Sequence, residues 1–181
     1  EKNDIKNLLH LLKNLGQAFM EKGDAPQALS EFDEALRIVS KGEDKESFAQ
    51  FLGLRGLALK LLGNYSLAMQ AFRKSNKLAT EINHFALTCD SFIQIAALNS
   101  DMGKAEEAIA GLNSALDIAV KQKDEVRRMR IYGLMGDHHL RQSDTAEASR
   151  YFRMAYEAAL DLENRGAECS FITKLGNVLL L

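Results

Sequence analysis

Apolar and small residues along the chain fall into columns that recur every forty positions. One column holds Gly16, Gly56, Ala96, Gly136 and Gly176, and seven residues further on stand Gly23, Gly63, Gly103 and Ser143. A third column is Ala28, Ala68, Ala108 and Ala148; four residues after it come Phe32, Phe72, Leu112 and Phe152, then Ala35, Ser75, Ala115 and Ala155. Side-chain size is specified at each phase. Small residues let two helices approach while a large one fills the gap beside them, so the repeating unit is read as a helical hairpin copied in register.

The punctuation agrees with that reading. The Gly23 column ends the first helix of each hairpin, where a left-handed residue costs least as glycine. The residue after it, Asp24, Asn64, Lys104 or Asp144, opens the second helix, and three of these four can cap it. Pro26 sits at a helix start, where its missing N–H does no harm. First helices have their own cap column at Asp4, Asp44, His84, Asp124 and Asn164. Helices are expected near 5–22, 25–40, 45–62, 65–80, 85–102, 105–121, 125–142, 145–162 and 166–181, with no strands. The third repeat departs most from the pattern, with Ala96, His84 and Lys104 at positions where others carry glycine or a capping side chain, and stability is expected to dip there.

Leu12, Leu15, Gly16, Phe19, Ala28 and Phe32 resemble the tetratricopeptide repeat pattern W-x2-L-G-x2-Y followed by A-x3-F. Leu52, Gly56, Leu59, Ala68 and Phe72 repeat it, as do Tyr132, Met135, Gly136, Ala148 and Phe152. The period is 40 rather than 34, and Ser40, Thr80, Val120 and Leu160 stand where that family often has proline. This longer form is similar to the repeats of kinesin light chain, spindle-orientation adaptors and bacterial signalling regulators. The expected fold class is all-α: one right-handed α-solenoid domain of about 4.5 repeats, at 4–43, 44–83, 84–123, 124–163 and a half repeat 164–181. Lacking an initial Met and stopping inside a fifth hairpin, the chain reads as a fragment of a longer protein, with apolar surface on its terminal helix left open to another chain.

The resemblance implies a superhelix whose concave face, lined by the first helices, binds a protein or peptide segment of a partner. The implied groove residues are Lys13 and Gln17 in the first repeat, with His10 beside them. The second repeat supplies Gly53, Leu54, Leu57 and Lys60, with Gln50, and the third supplies Asp90, Gln94 and Ala97. The fourth gives Arg130, Gly133, Leu134, Asp137 and Arg141, and the half repeat gives Lys174 and Asn177. The chaperone-type carboxylate clamp of the family is not matched, since Lys13 with Gln17, Leu54, and Asp90 with Gln94 stand at its positions.

Composition narrows the function further. With 46% hydrophobic and 27% charged residues, the chain has enough apolar material for a core. It carries 23 basic and 25 acidic residues, a net charge of -2, so neither nucleic acid nor an anionic membrane is expected as a partner. No apolar run reaches membrane-spanning length and the start is too polar for a signal peptide, so a cytoplasmic location is expected. None of the four histidines, His10, His84, His138 and His139, pairs with another at helical i, i+4 spacing, and His139 shares the column of Phe19 and Leu59. No catalytic group, metal site or cofactor is expected. Cys89 and Cys169, eighty residues apart in one column, are read as reduced thiols.

Two groove features carry possible chemistry. Gly53 and Gly133 lie inside helices, where each costs about 1 kcal/mol relative to Ala; they either let a ligand backbone approach or ease packing between first helices. Arg127, Arg128, Arg130, Arg141 and Lys174 gather near the fourth groove segment. With Arg130 and Arg141 facing inward they would anchor an acidic side chain or a C-terminal carboxylate. The alternative is a solvated face with Asp137 paired to Arg141. Besides an adaptor role, the sequence leaves open a regulatory domain that senses a ligand or peptide, and a self-assembling scaffold.

Overall fold

The computed structural model describes residues 2–40 and 44–180, and the expected repeat end at 43 and the last residue, Leu181, lie outside them. Among the described residues there are nine helices and no strand. They are α1 (Lys2–Glu21), α2 (Ala25–Val39), α3 (Lys45–Leu61), α4 (Tyr65–Glu81), α5 (Phe85–Asp101), α6 (Ala105–Gln122), α7 (Glu125–Arg141), α8 (Thr145–Asp161) and α9 (Arg165–Leu179). Most ends fall within a residue or two of those expected. The exception is α1, which begins at Lys2, so that Asp4 lies in its first turn instead of capping it.

Every described turn is closed in the same way. After α1, the Asp24 amide donates to the Phe19 carbonyl at 2.8 Å and the Gly23 amide to that of Met20 at 3.0 Å, the paired bonds of a helix stopped by one left-handed residue. The same pair recurs at Asn64 and Gly63, His84 and Asn83, Lys104 and Gly103, Asp124 and Lys123, Asp144 and Ser143, and Asn164 and Glu163. From Gly63 to Glu163 the left-handed residue therefore recurs every twenty positions, with φ of +80°, +74° and +75° at Gly23, Gly63 and Gly103, and +55°, +55°, +60° and +53° at Asn83, Lys123, Ser143 and Glu163. Glycine relieves the backbone at three of the described turns; the others hold side-chain residues in that region, and of these Ser143 alone stood in the forty-residue breaker column.

Helix starts depart from expectation in two places. Asp24, Asp44, Asp124, Asp144 and Asn164 each accept the amide three residues on. Asn64 makes no side-chain cap bond, so two of the four second helices are capped this way rather than three. His84 does cap: its Nδ1 accepts the Leu87 amide at 3.2 Å, leaving Nε2 to face Glu46 Oε1 at 3.3 Å. The start of α5 thus has a side-chain cap.

The helices form two compact units that divide between Leu98 and Asn99, with the last turn of α5 in the second. In the first, α1 to α4 pack in sequence, and Leu9, Leu12, Phe32 and Phe51 make one cluster while Leu59, Phe72 and Leu98 make another. Ser75 of α4 donates its hydroxyl to the Ala49 carbonyl at 2.7 Å, so its polar atom is satisfied in the core. In the second unit α6 packs on α7, α7 on α8, and α8 on α9, around Ile131, Met135, Phe152 and Phe171.

The small and large columns meet in these contacts. A Cβ placed on Gly16, Gly56 or Gly136 would overlap the ring of Phe32, Phe72 or Phe152 respectively, each of which is fully buried. Each glycine is a notch for the phenylalanine sixteen residues on, and burying such a ring contributes about 1.5–3 kcal/mol. Gly176 has the same place in α9, yet nothing lies within 4 Å of its missing side chain.

Candidate functional site

The residues assigned to a groove separate into three kinds. Gln17, Arg130, Arg141 and Asn177 are exposed; Lys13, Lys60, Asp90, Gln94, Ala97, Leu134, Asp137 and Lys174 are half-buried on first helices. Leu54 and Leu57, also half-buried, pack against the two clusters of the first unit and so belong partly to its core. Gly133 is buried, and a Cβ there would lie 2.8 Å from Phe171 Cε1. The space at Gly133 is taken by a ring of α9, which favours the packing alternative there; a Cβ on Gly53 would stand 3.6 Å from Ser75 Oγ, an ordinary contact that leaves room for it.

The basic group of the second unit is largely engaged. Lys174 Nζ donates to both oxygens of Asp137, at 2.5 and 2.6 Å, so Asp137 pairs with a residue of α9 and not with Arg141 in its own helix. Arg141 instead donates to the Ser100 hydroxyl. Arg127 binds its helix cap Asp124 at 2.6 Å, and Arg128 binds Glu125 at 2.6 Å and lies against Tyr132. Arg130 is exposed and, among the described residues, makes no ion pair. The expected five-residue cluster therefore reduces to two exposed cations, Arg130 and Arg141, the latter hydrogen-bonded to Ser100.

A feature not singled out in the sequence lies beside that group. His139 stacks on Tyr151 with centroids 5.3 Å apart, Nδ1 sits 3.3 Å from Asp144 Oδ2, and Arg150 covers the other ring at 4.5 Å. These contacts make His139 a packed, hydrogen-bonded residue. His138 is buried, and burial together with the neighbouring His139 and Arg141 holds its pKa below the ordinary value. Cys89 is buried and Cys169 exposed, both as free thiols. Among the described residues no group of three or more His, Cys, Asp or Glu is placed to hold a metal, and no helix is long and apolar enough to cross a membrane.

In the first unit, α1 and α3 leave an open cleft of about 210 Å³. Lys6, His10 and Lys13 enter it from α1, at i, i+4 and i+7 on one helix face, and Asp44, Ser47 and Gln50 from α3, over a floor of Leu9 and Phe51. Asp44 accepts the Ser47 amide at 2.9 Å. Burial disfavours its charge, but hydrogen bonds from Ser47 and the positive charge of Lys6 outweigh this and hold its carboxyl below the ordinary pKa. The cleft brings together His10, Lys13 and Gln50 from the expected groove set. Lys6 and Ser47 were missed because they lie nearer the helix starts; the signal for Lys6 was its i, i+4, i+7 spacing to His10 and Lys13.

The helical hairpins, their left-handed turns and the glycine-to-phenylalanine register define a solenoid fold of tetratricopeptide-like hairpins. Residues 49–81 and 87–161, together more than half of the chain, each match the tetratricopeptide repeat family, and the chain belongs to it. No curated protein matches its sequence. Among solved structures it is similar to BtubC (BKLC) from P. vanneervenii, at 17% identity over 98% of this chain and 74% of that one, with a TM-score of 0.85. It is similar to aspartyl phosphate phosphatase F from Bacillus subtilis, at 14% identity over 97% of this chain and 46% of that one, TM-score 0.87. A third is the Rap conjugation gene regulator of plasmid pLS20 in complex with the Phr* peptide, at 18% identity over 96% of this chain and 53% of that one, TM-score 0.74. The chain spans about half the length of the last two. At these identities the likeness is one of fold alone.

Proposed function

We propose that the chain is a protein-interaction module that binds a peptide segment of a partner along the outward positions of its first helices. The observation that carries this reading is the structural likeness to a regulator held in complex with a peptide. The surface is consistent with it: Gln17, Arg130 and Asn177 stand exposed on helices whose other faces are buried. Such positions offer hydrogen-bonding groups and charge on a rigid frame, the means by which solenoids select extended or helical segments. The test is binding of a peptide library to the purified chain, with bound peptides mapped by amide shifts. Shifts confined to second helices α2, α4, α6 and α8 would sink the assignment.

A regulatory role is the second reading, because that same relative is named a gene regulator. In it the peptide is a signal, and binding shifts the chain between two arrangements. Small-angle scattering with and without bound peptide separates the two: an unchanged profile at saturation leaves the adaptor reading, a changed one favours sensing. The scaffold reading draws on exposed Leu11 in α1 and Ile172 and Leu179 in α9, and predicts a mass that rises with concentration.

A further inference from the structure

We propose that the α3–α4 turn and the outer face of α4 form a separate docking surface, fitted to a partner segment whose apolar residues lead into acidic ones. This goes beyond the peptide-binding reading, because it uses the second helix of a hairpin and stands whether or not the first helices bind.

A repeat protein carries its own controls, since each position has counterparts forty residues away in the same local fold. At the α3–α4 turn Leu61, Leu62, Tyr65 and Leu67 are exposed, Leu61 by 60% and Leu67 by 45%. Where Leu61 stands the other hairpins have Glu21, Asp101 and Arg141, and where Leu67 stands they have Gln27, Glu107 and Glu147. Tyr65 has Ala25, Ala105 and Thr145 as its counterparts, and of the four positions only that of Leu62 is large and apolar elsewhere, as Met102. All four turns close with the same pair of backbone bonds, so the hairpin itself does not call for these side chains. A single exposed leucine is ordinary, but this group forms a patch that gains from burial only against another molecule.

Charge singles out the same hairpin. Arg73, Lys74 and Lys77 are exposed on α4, which has no acidic residue before Glu81 at its end. The other second helices differ: α2 sets Glu31, Asp33 and Glu34 against Arg37, α6 sets Glu106, Glu107 and Asp117 against Lys121, and α8 mixes both signs. Lys74 lies over the Phe48 ring at 5.1 Å, and among the described residues none of the three cations of α4 makes an ion pair. Leu67 and Lys74, seven apart, fall on one side of the helix with Gln70 and Lys77 beside them. The strip from Leu67 to Lys77 is about 15 Å long, apolar at the turn and basic beyond it. Its complement is a segment with leucine-like residues at one end and carboxylates along the rest. A broad anionic surface, whether lipid or nucleic acid, would also meet the carboxylates of α2, whereas a single segment can lie along α4 alone.

The test is an amide-shift titration of the whole chain with an acetylated, amidated helical peptide that carries leucines in its first two turns and glutamates in its last two. An analogue with Gln for Glu and vesicles of mixed phosphatidylserine and phosphatidylcholine form the other two arms. The expected result is saturable shifts at Gly63, Leu67, Gln70 and Arg73 with the Glu peptide, and binding about tenfold weaker with the Gln analogue. A Leu61→Glu, Leu67→Gln variant installs the residues that the first hairpin has at these positions. It should melt with the wild type and lose about tenfold or more in affinity; Arg73→Glu, Lys77→Glu should lose as much. No binding of the Glu peptide, equal binding of the Gln analogue, or indifference to either variant would overturn the surface. A lower melting temperature in the leucine variant overturns it too, since those side chains then serve the fold. Vesicle binding that the leucine variant loses assigns the patch to a membrane instead, and a concentration-dependent mass that the same variant loses assigns it to a second copy. Shifts on α4 with none on the first helices uphold this surface and sink the groove reading; shifts on the first helices alone do the reverse.

Discussion

Gly136 and Gly176 occupy the same column and meet opposite surroundings, the first against the ring of Phe152 and the second with nothing within 4 Å. Replacement of each by Ala should therefore diverge. Gly136→Ala is expected to lose about 1–3 kcal/mol from overpacking, while Gly176→Ala gains up to about 1 kcal/mol of helix propensity, both read from urea unfolding midpoints. Phe152→Ala, at a fully buried position, should cost about 3–5 kcal/mol. His138 adds a dependence on pH. Its folded pKa is held below the ordinary 6.5, so the unfolded chain binds the proton more readily and stability is lost as pH falls through 6.5 toward the lower folded value. Thermal melts at about pH 7.5 and 5.5, above the carboxylate range, should show a drop in the wild type that shrinks in His138→Gln. These glycine and phenylalanine roles were legible because a contact sixteen residues apart repeats in the sequence. The partner of Asp137 was not: helical spacing pointed to Arg141 four residues on, and the structure supplies Lys174 from another hairpin, 37 residues away.

At the scale of the helix and its turn, all the described turns use one closure and fill it unevenly. Lys123 and Glu163 hold φ of +55° and +53° with full side chains, a conformation that costs such residues about 1–2 kcal/mol. Lys123→Gly and Glu163→Gly should each raise stability by up to about 1 kcal/mol, whereas Gly63→Val should lower it by more. A melting temperature that falls in both glycine variants would refute this account of the turns. Helix existence and most boundaries were readable, because at most junctions a cap or a breaker agreed with the apolar period. Capping itself was read less well. Asn64 has the right chemistry and makes no cap bond, while His84 looked degenerate and makes one, since a ring nitrogen can accept an amide as an oxygen does. The Asp137 pair with Lys174 ties α7 to α9 with both side chains about one-third exposed, and Asp137→Asn should cost no more than about 1 kcal/mol, seen as faster amide exchange in α9.

For the whole molecule, architecture was far more legible than binding. A hairpin fold is dictated at every position of its repeat, whereas a binding surface needs only a few residues on the faces that packing leaves free. The arginine group suggested an anchor by its density in the sequence, and ion pairs within and between helices absorb most of it. The α1 and α3 cleft could not be read, because its six polar residues come from segments more than thirty positions apart.

The interlocking of Gly16 with Phe32, Gly56 with Phe72 and Gly136 with Phe152 has a consequence for how such chains change over generations. α2, α4 and α8 present their rings at the same offset, so these three second helices are expected to be exchangeable parts. A chimaera in which residues 25–39 are replaced by residues 145–159 should unfold cooperatively near the wild-type midpoint. The equivalent graft from α6, which brings Leu112 in place of a ring, should leave the Gly16 notch underfilled and melt lower. A crossover between the coding segments of two such hairpins, in phase at forty residues, would add or remove a hairpin and leave no seam.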